Sequence, residues 1–148
     1  MGLHRDARVT LHQLAYPRAP MPFTSTQRTA VIGDAVVLAL LTIIGFATHL
    51  TLDAFGRMLA TGVTALLAWA AVAPFLGVYR PSVISDPRSV WRVAWAWLLA
   101  APLATFLRGA VLGRDIPPAF VAAVILVNGL GLLLWRIVLW WMLARGSE

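Results

Sequence analysis

The sequence has no cysteine and no lysine, and only 12% of its 148 residues are charged. The absence of cysteine excludes a disulfide framework, a thiolate metal site, an iron–sulfur cluster and a cysteine nucleophile. Apolar residues make up 60% of the chain, whereas soluble domains are roughly 45–50% apolar and about 25% charged. This composition excludes an ordinary soluble enzyme and an intrinsically disordered chain.

The residue patterns of catalysis are missing as well. The sequence contains no His–Glu metal pair, no serine with a nearby base, no phosphate-binding loop and no paired carboxylates. We therefore expect no enzymatic activity, no catalytic residue, no metal site and no bound cofactor.

Four long, nearly uncharged runs occupy most of the chain. A helix needs about 20 apolar residues to cross roughly 30 Å of hydrocarbon, and the runs at about 30–50, 58–79, 89–108 and 117–142 meet or nearly meet that length. Soluble helices of this length carry a polar face, which these runs lack. Because the connections are short, consecutive helices must be antiparallel neighbours. The sequence predicts an all-α, polytopic membrane protein, an antiparallel bundle of four transmembrane helices within residues 29–145.

Polar residues mark the expected helix starts. Thr24 and Gln27 can form a capping box at the start of the first helix. Asp86 precedes Pro87 before the third helix, and Asp115 precedes a Pro-Pro pair before the fourth. A capping acid followed by proline is the preferred order at a helix start.

The arginines are distributed unequally between the two sides of the predicted membrane protein. Eight lie in the N-terminal tail, the second loop or the C-terminus, whereas the opposite loops share Arg57, Arg108 and Arg114. Because arginine-rich short loops stay inside, this bias predicts cytoplasmic N- and C-termini, in the cytoplasmic membrane of a prokaryote. Six tryptophans would then lie in the cytoplasmic half as an aromatic belt: Trp91, Trp95, Trp97, Trp135, Trp140 and Trp141.

Residues 1–28 form a basic, proline-containing tail. The apolar run after it is too long for a signal-peptide core, so we expect a retained cytoplasmic tail that associates with anionic lipid or docks on a partner. Basic residues without interleaved aromatic residues do not indicate nucleic-acid binding. The predicted partners are the lipid bilayer and other membrane subunits, in a homo-oligomer or a larger complex.

Asp34 and Arg136 lie several residues inside the predicted spans, where ionisable groups are costly and each is a functional candidate. Asp34 and Arg136 lie about five and six residues from the same end of the first and fourth helices, so their depths agree within ~2 Å. We predict a buried ion pair, with Gly45 and Gly129 on the same faces permitting close approach. The pair is either a structural tie between these helices or part of a proton-carrying site.

A second group of polar residues lies near the opposite end of the spans. His49 ends the first span, Arg57 and Arg108 reach the same level, and Asp53 lies in the first loop. We predict a polar cluster beneath the headgroups. His49 is also a weak candidate ligand for a chlorophyll-type or haem cofactor, although bis-His haem is excluded because the other histidines lie in the tail. In the fourth span, Asn128 is a candidate for a hydrogen bond between helices.

Small residues and prolines give the packing signals. Ala96, Ala100 and Ala104 recur every four residues along the third helix, and such a stripe lets helix backbones approach closely. Pro74 and Pro102 each remove a backbone donor and loosen their helices locally.

Short motifs at the ends of the spans form a further pattern. They are Gly33-Asp34, Gly45-Phe-Ala-Thr-His49, Ala101-Pro102, Leu107-Arg108-Gly109, Phe120 and Trp135-Arg136. With these motifs the sequence resembles, over roughly residues 31–142, an uncharacterised family of small four-helix membrane proteins from bacteria and archaea, domain of unknown function 3054. The resemblance implies the four-span fold and no particular activity.

Three functional hypotheses follow from these features. The first is a non-enzymatic structural or accessory membrane subunit that packs with itself or with other membrane proteins. The second is a small proton- or ion-coupled transporter, which would act as a dimer because four helices enclose little cavity alone. The third is a pigment- or quinone-associated accessory subunit, motivated by His49 and the tryptophan-rich half.

Overall fold

The computed structural model describes residues 23–49 and 54–146. Within these residues the chain is helical and has no strand, and four helical segments are long and apolar enough to cross a membrane. The predicted all-α, four-span class is confirmed. The helices are α1 (Ser25–Thr48), α2 (Phe55–Val72), the short α3 (Pro81–Ile84), α4 (Trp91–Leu112), which a 3-10 turn (Pro87–Val90) precedes, and α5 (Pro118–Arg145).

The start of α1 is the predicted capping box. The Thr24 hydroxyl accepts a hydrogen bond from the Gln27 N–H at 3.2 Å, and the Gln27 side-chain oxygen accepts one from the Thr24 N–H at 2.8 Å. These bonds satisfy backbone donors that a helix start leaves free. Residues 25–28 therefore belong to α1, and most of the predicted tail lies outside the described residues.

Of the other two predicted helix caps, the one at Asp86 is present and the one at Asp115 is not. Asp86 caps the 3-10 turn, because its side chain accepts the Arg88 N–H at 2.9 Å. The prediction for Asp115 was wrong: Pro117 is the N-cap of α5, which has no side-chain cap bond. Pro117 is extended and Pro118 starts the helix, so α5 begins too far along the chain for Asp115 to cap it.

The second span ends earlier than predicted, at Val72 rather than at residue 79. Pro74 has no N–H to continue the helix, and a turn follows in which the Gly77 N–H bonds to the Pro74 carbonyl. Gly77 has φ +66°, a conformation that glycine adopts without steric cost. This turn returns the chain to the bundle, and the side-chain amide of Gln27 donates to the Tyr79 carbonyl at 2.9 Å.

The core lies mainly between α2 and α4, which form the most extensive helix–helix contact, while α5 packs against α1 and α4. The alanine stripe of α4 is buried in this core, with Ala96 and Ala100 fully buried. Its predicted role in close packing is confirmed, and the stripe is covered by the chain itself. The rings of Trp69 and Trp97 belong to the same core and lie 6.0 Å apart between centroids.

Candidate functional site

The predicted ion pair is present in the interior of the bundle. Arg136 Nη2 donates to Asp34 Oδ2 at 2.5 Å, and Arg136 Nε donates to Asp34 Oδ1 at 3.1 Å. This two-point geometry matches the planar guanidinium to the carboxylate. Asp34 is completely buried and Arg136 is 7% exposed. The pair therefore ties α1 to α5.

Two further side chains complete the shell around Asp34. The Trp69 indole N–H donates to Asp34 Oδ2 at 3.1 Å, and the Tyr79 hydroxyl donates to the same oxygen at 2.9 Å. Both carboxylate oxygens thus accept hydrogen bonds, and the Arg136 guanidinium carbon also lies 5.3 Å from the centre of the Tyr79 ring. We call Asp34, Trp69, Tyr79 and Arg136 the buried network.

Tyr79 contributes a neutral donor to the buried network. Burial raises the pKa of the Tyr79 phenol above its ordinary value, and the nearby negative charge of Asp34 raises it further. Both effects disfavour the phenolate. Tyr79 therefore keeps its proton at neutral pH and can donate it in the hydrogen bond to Asp34.

Two glycines bring α1 and α5 close enough for the ion pair. A Cβ atom at Gly33 would overlap the Trp135 indole, and one at Gly131 would overlap the Leu41 side chain. The predicted roles of Gly45 and Gly129 were wrong. A Cβ at Gly45 would meet nothing within 4 Å, and one at Gly129 would meet Trp97 of α4 at 3.0 Å instead of α1.

The other predicted polar residues meet at the opposite end of the bundle. A cavity of about 550 Å³ is lined there by Gly45 of α1, His49 directly after α1, Arg57 of α2, Arg108 of α4 and Asn128 of α5. We call it the distal cavity. His49, Arg57 and Arg108 line one cavity at the same end of the bundle, as the prediction of a common level requires, whereas Asp53 lies outside the described residues.

Arg108 is held in the distal cavity from two sides. Its Nε donates to the Thr61 hydroxyl at 2.8 Å, and its guanidinium carbon lies 4.3 Å from the centre of the Phe120 ring. The Thr61 hydroxyl in turn donates to the Arg57 carbonyl. Within the described residues, Nη1 and Nη2 of Arg108 make no hydrogen bond to protein.

Asn128 does not make the predicted bond between helices within the described part of the chain. Its side chain lines the distal cavity and is 8% exposed. The bond from α4 to α5 is made by Trp97, whose indole N–H donates to the carbonyls of Val124 and Ile125 at 3.3 and 3.1 Å. Trp97 is therefore a core residue, 2% exposed, and its predicted place in an interfacial belt was wrong.

A comparison with known protein families identifies the family of this chain. The model of a family described as a protein of unknown function, DUF3054, matches residues 31–139. The chain belongs to the DUF3054 family. No curated protein and no solved structure matches the sequence.

Two motifs of this DUF3054 chain, distant in sequence, pack against each other. Gly33-Asp34 of α1 faces Trp135-Arg136 of α5, with Gly33 against the Trp135 ring and Asp34 bound to Arg136. The same residues carried the resemblance in the sequence. In the structure they form one contact between the first and last spans.

Sequence reasoning missed Trp69 and Tyr79 of the buried network. A signal for them exists, because a buried tryptophan or tyrosine usually needs a hydrogen-bond acceptor, and Asp34 is the one carboxylate within the predicted spans. The absence of a metal site stays a prediction. The described residues contain no cluster of three or more His, Cys, Asp or Glu side chains that could hold a metal ion.

Proposed function

We propose that this DUF3054 chain is a non-enzymatic subunit of the cytoplasmic membrane of a prokaryote that packs with itself or with another membrane protein. The supporting observation is the buried network, in which the intramembrane carboxylate of Asp34 accepts hydrogen bonds from Arg136, Trp69 and Tyr79. A group occupied in this way holds helices together. Since the carboxylate in the interior is occupied in this way, the outward surface of the bundle is the region available for function.

The competing hypothesis of a proton-coupled transporter needs a carboxylate that exchanges protons with water. Asp34 has no exposed surface, and both of its carboxylate oxygens already accept hydrogen bonds from Arg136. Proton exchange at Asp34 would require the network to open. The ion pair therefore supports a structural role over proton carriage.

The outward surface supports association with lipid or protein. Large apolar side chains are exposed along α1 and α5, among them Ile32, Ile44, Leu126 and Leu134. In a bilayer such a face contacts lipid chains or another apolar helix. Since the alanine stripe of α4 is already buried, we assign an interface with a partner to these outer faces.

Native mass spectrometry of the gently solubilised chain tests this proposal. The expected result is a homo-oligomer or a complex with a second membrane protein at fixed stoichiometry. A monomer under all mild conditions would contradict it. In parallel, proteoliposomes with an internal pH dye should show no proton flux above empty vesicles, and flux abolished by Asp34→Asn would establish the transporter instead.

A further inference from the structure

The distal cavity is lined by both charged and apolar residues, and none of them belongs to the buried network. The end of the cavity near the helix termini, which we call its mouth, is lined by Arg57, Arg108 and His49, and the walls are mostly apolar side chains of α1 and α5. No described lining residue is Asp or Glu. The cavity therefore offers cations at one end and an apolar wall below them.

The cations at the mouth are positioned on one side of the cavity. Arg57 and Thr61 lie one helical turn apart on α2, and Arg108 of α4 is bonded to Thr61. Arg57 and Arg108 therefore carry two positive charges that line the same cavity. An anion between them would offset both charges and would accept hydrogen bonds from both groups.

A polar side chain, Asn128, lies at the inner end of the cavity, away from the helix termini. Asn128 is more than nine-tenths buried and lines the cavity. Its side chain has no hydrogen-bond partner among the described residues. Its amide atoms are not among the fully buried side-chain atoms that lack a partner in the described part of the chain, so they face the space of the cavity and can bond to a ligand or to water.

The dimensions fit one chain of an amphiphile. The lining residues of α1 and its C-cap extend from Leu41 to His49 and those of α5 from Phe120 to Asn128, which is about 12 Å along each helix. One leaflet offers ~15 Å of hydrocarbon, half of the bilayer core. The volume of about 550 Å³ lies within the roughly 300–1,000 Å³ of small-molecule sites.

We infer that the distal cavity binds one anionic amphiphile, with its acidic headgroup between Arg57 and Arg108 and its apolar chain along α1 and α5 toward Asn128. The chemical class is an acyl chain that ends in a carboxylate or a phosphate. Its source is a free fatty acid or an anionic phospholipid. This site is independent of the buried network and of the subunit role proposed above.

Binding of labelled palmitate to the full chain, measured by scintillation proximity in an uncharged maltoside detergent, tests the inference. Unlabelled palmitate, hexadecanol and phosphatidylglycerol serve as competitors. Palmitate or phosphatidylglycerol is expected to compete at least about tenfold better than hexadecanol, because hexadecanol has the chain without the charge. Competition by palmitate alone identifies a free fatty acid, and competition by phosphatidylglycerol, with weak binding of palmitate, identifies a phospholipid.

Two pairs of variants locate the binding. Arg57→Gln should weaken binding of the tighter anion about tenfold, while Arg145→Gln, which removes the same charge near the other end of α5, should not. Gly45→Leu should block the cavity, because Gly45 lines it and a Cβ atom there meets nothing within 4 Å. Gly56→Leu makes the same change at a glycine that is equally open but does not line the cavity, and it should bind normally.

Some results would overturn the inference. Equal competition by hexadecanol and the two anions would show that the charge at the mouth has no role. Equal loss in Arg57→Gln and Arg145→Gln would show unspecific attraction to a basic protein. Undiminished binding in Gly45→Leu, with thermal stability like that of the parent chain, would place the ligand elsewhere.

Discussion

Gly33 of α1 lies directly against the indole ring of Trp135 of α5, with no room for a Cβ atom between them. This contact is one residue from the Asp34–Arg136 ion pair in both helices. The Trp135 indole nitrogen is buried and has no hydrogen-bond partner in the described part of the chain. Packing against Gly33 is therefore what orients this ring.

Gly33→Ala is expected to destabilise the chain by about 1–3 kcal/mol, because the new methyl group would overpack the contact with Trp135. Gly45→Ala on the same helix is the matched control. A Cβ there meets nothing within 4 Å, so alanine should be neutral or stabilise the helix by up to about 1 kcal/mol. Thermal unfolding in detergent measures both, and effects of the same sign would contradict the packing explanation.

Asp34→Leu and Arg136→Leu should each destabilise the chain by about 3–5 kcal/mol, because each leaves an uncompensated buried charge. The double substitution should recover much of this loss. A double-mutant cycle on the free energy of unfolding measures the coupling between the two residues. Strict additivity would mean that they do not interact.

Tyr79 should make the folded chain sensitive to strong alkali. Its pKa is raised in the folded state from an ordinary value of 10.0, so its stabilising contribution is complete below that pH. As the pH rises further, the unfolded chain releases the phenol proton and the folded chain retains it, so stability falls. Lysine and cysteine, which titrate in the same range, are absent.

The measurement is the free energy of unfolding as a function of pH. Tyr79→Phe should be less stable at neutral pH by about 1.5–3 kcal/mol, since it loses a hydrogen bond to a charged group, and its alkaline decline should be smaller. Tyr16→Phe should keep the decline of the parent chain. If Tyr16→Phe removed the decline and Tyr79→Phe did not, the assignment to Tyr79 would be wrong.

The arginine asymmetry predicts the orientation in the membrane. Single cysteines at Ser25, Ser85 and Arg114 can be introduced into this cysteine-free chain without a background thiol. With an impermeant maleimide on intact cells, only the cysteine at Arg114 should be labelled. Labelling at Ser85 with none at Arg114 would reverse the predicted topology.

His49 tests the hypothesis of a pigment-associated subunit. We expect no visible absorbance from the purified chain, and His49→Ala should leave the spectrum unchanged. A chromophore that copurifies at fixed stoichiometry and disappears in His49→Ala would favour the pigment role. Asn128→Ala, on the same cavity, is the control for a general change of the cavity.

The sequence alone was sufficient to predict the fold class and one long-range contact. Four apolar runs predict membrane helices because the bilayer core sets a minimum length for a helix that crosses it. The contact of Asp34 with Arg136 follows from equal depth, because a charge in hydrocarbon requires a partner. The capping box of Thr24 and Gln27 is local in sequence, which makes it readable without a structure.

Only the tertiary structure decided which side chains surround these groups. The early end of α2 at Val72 brings Tyr79 back to Asp34, and no hydrophobic pattern specifies where such a turn points. Helix rotation places Gly33 and Gly131, and not Gly45, at the contact of α1 with α5. Rotation about a helix axis depends on packing against the other helices, and in uniformly apolar spans the sequence carries no polar face that would define it.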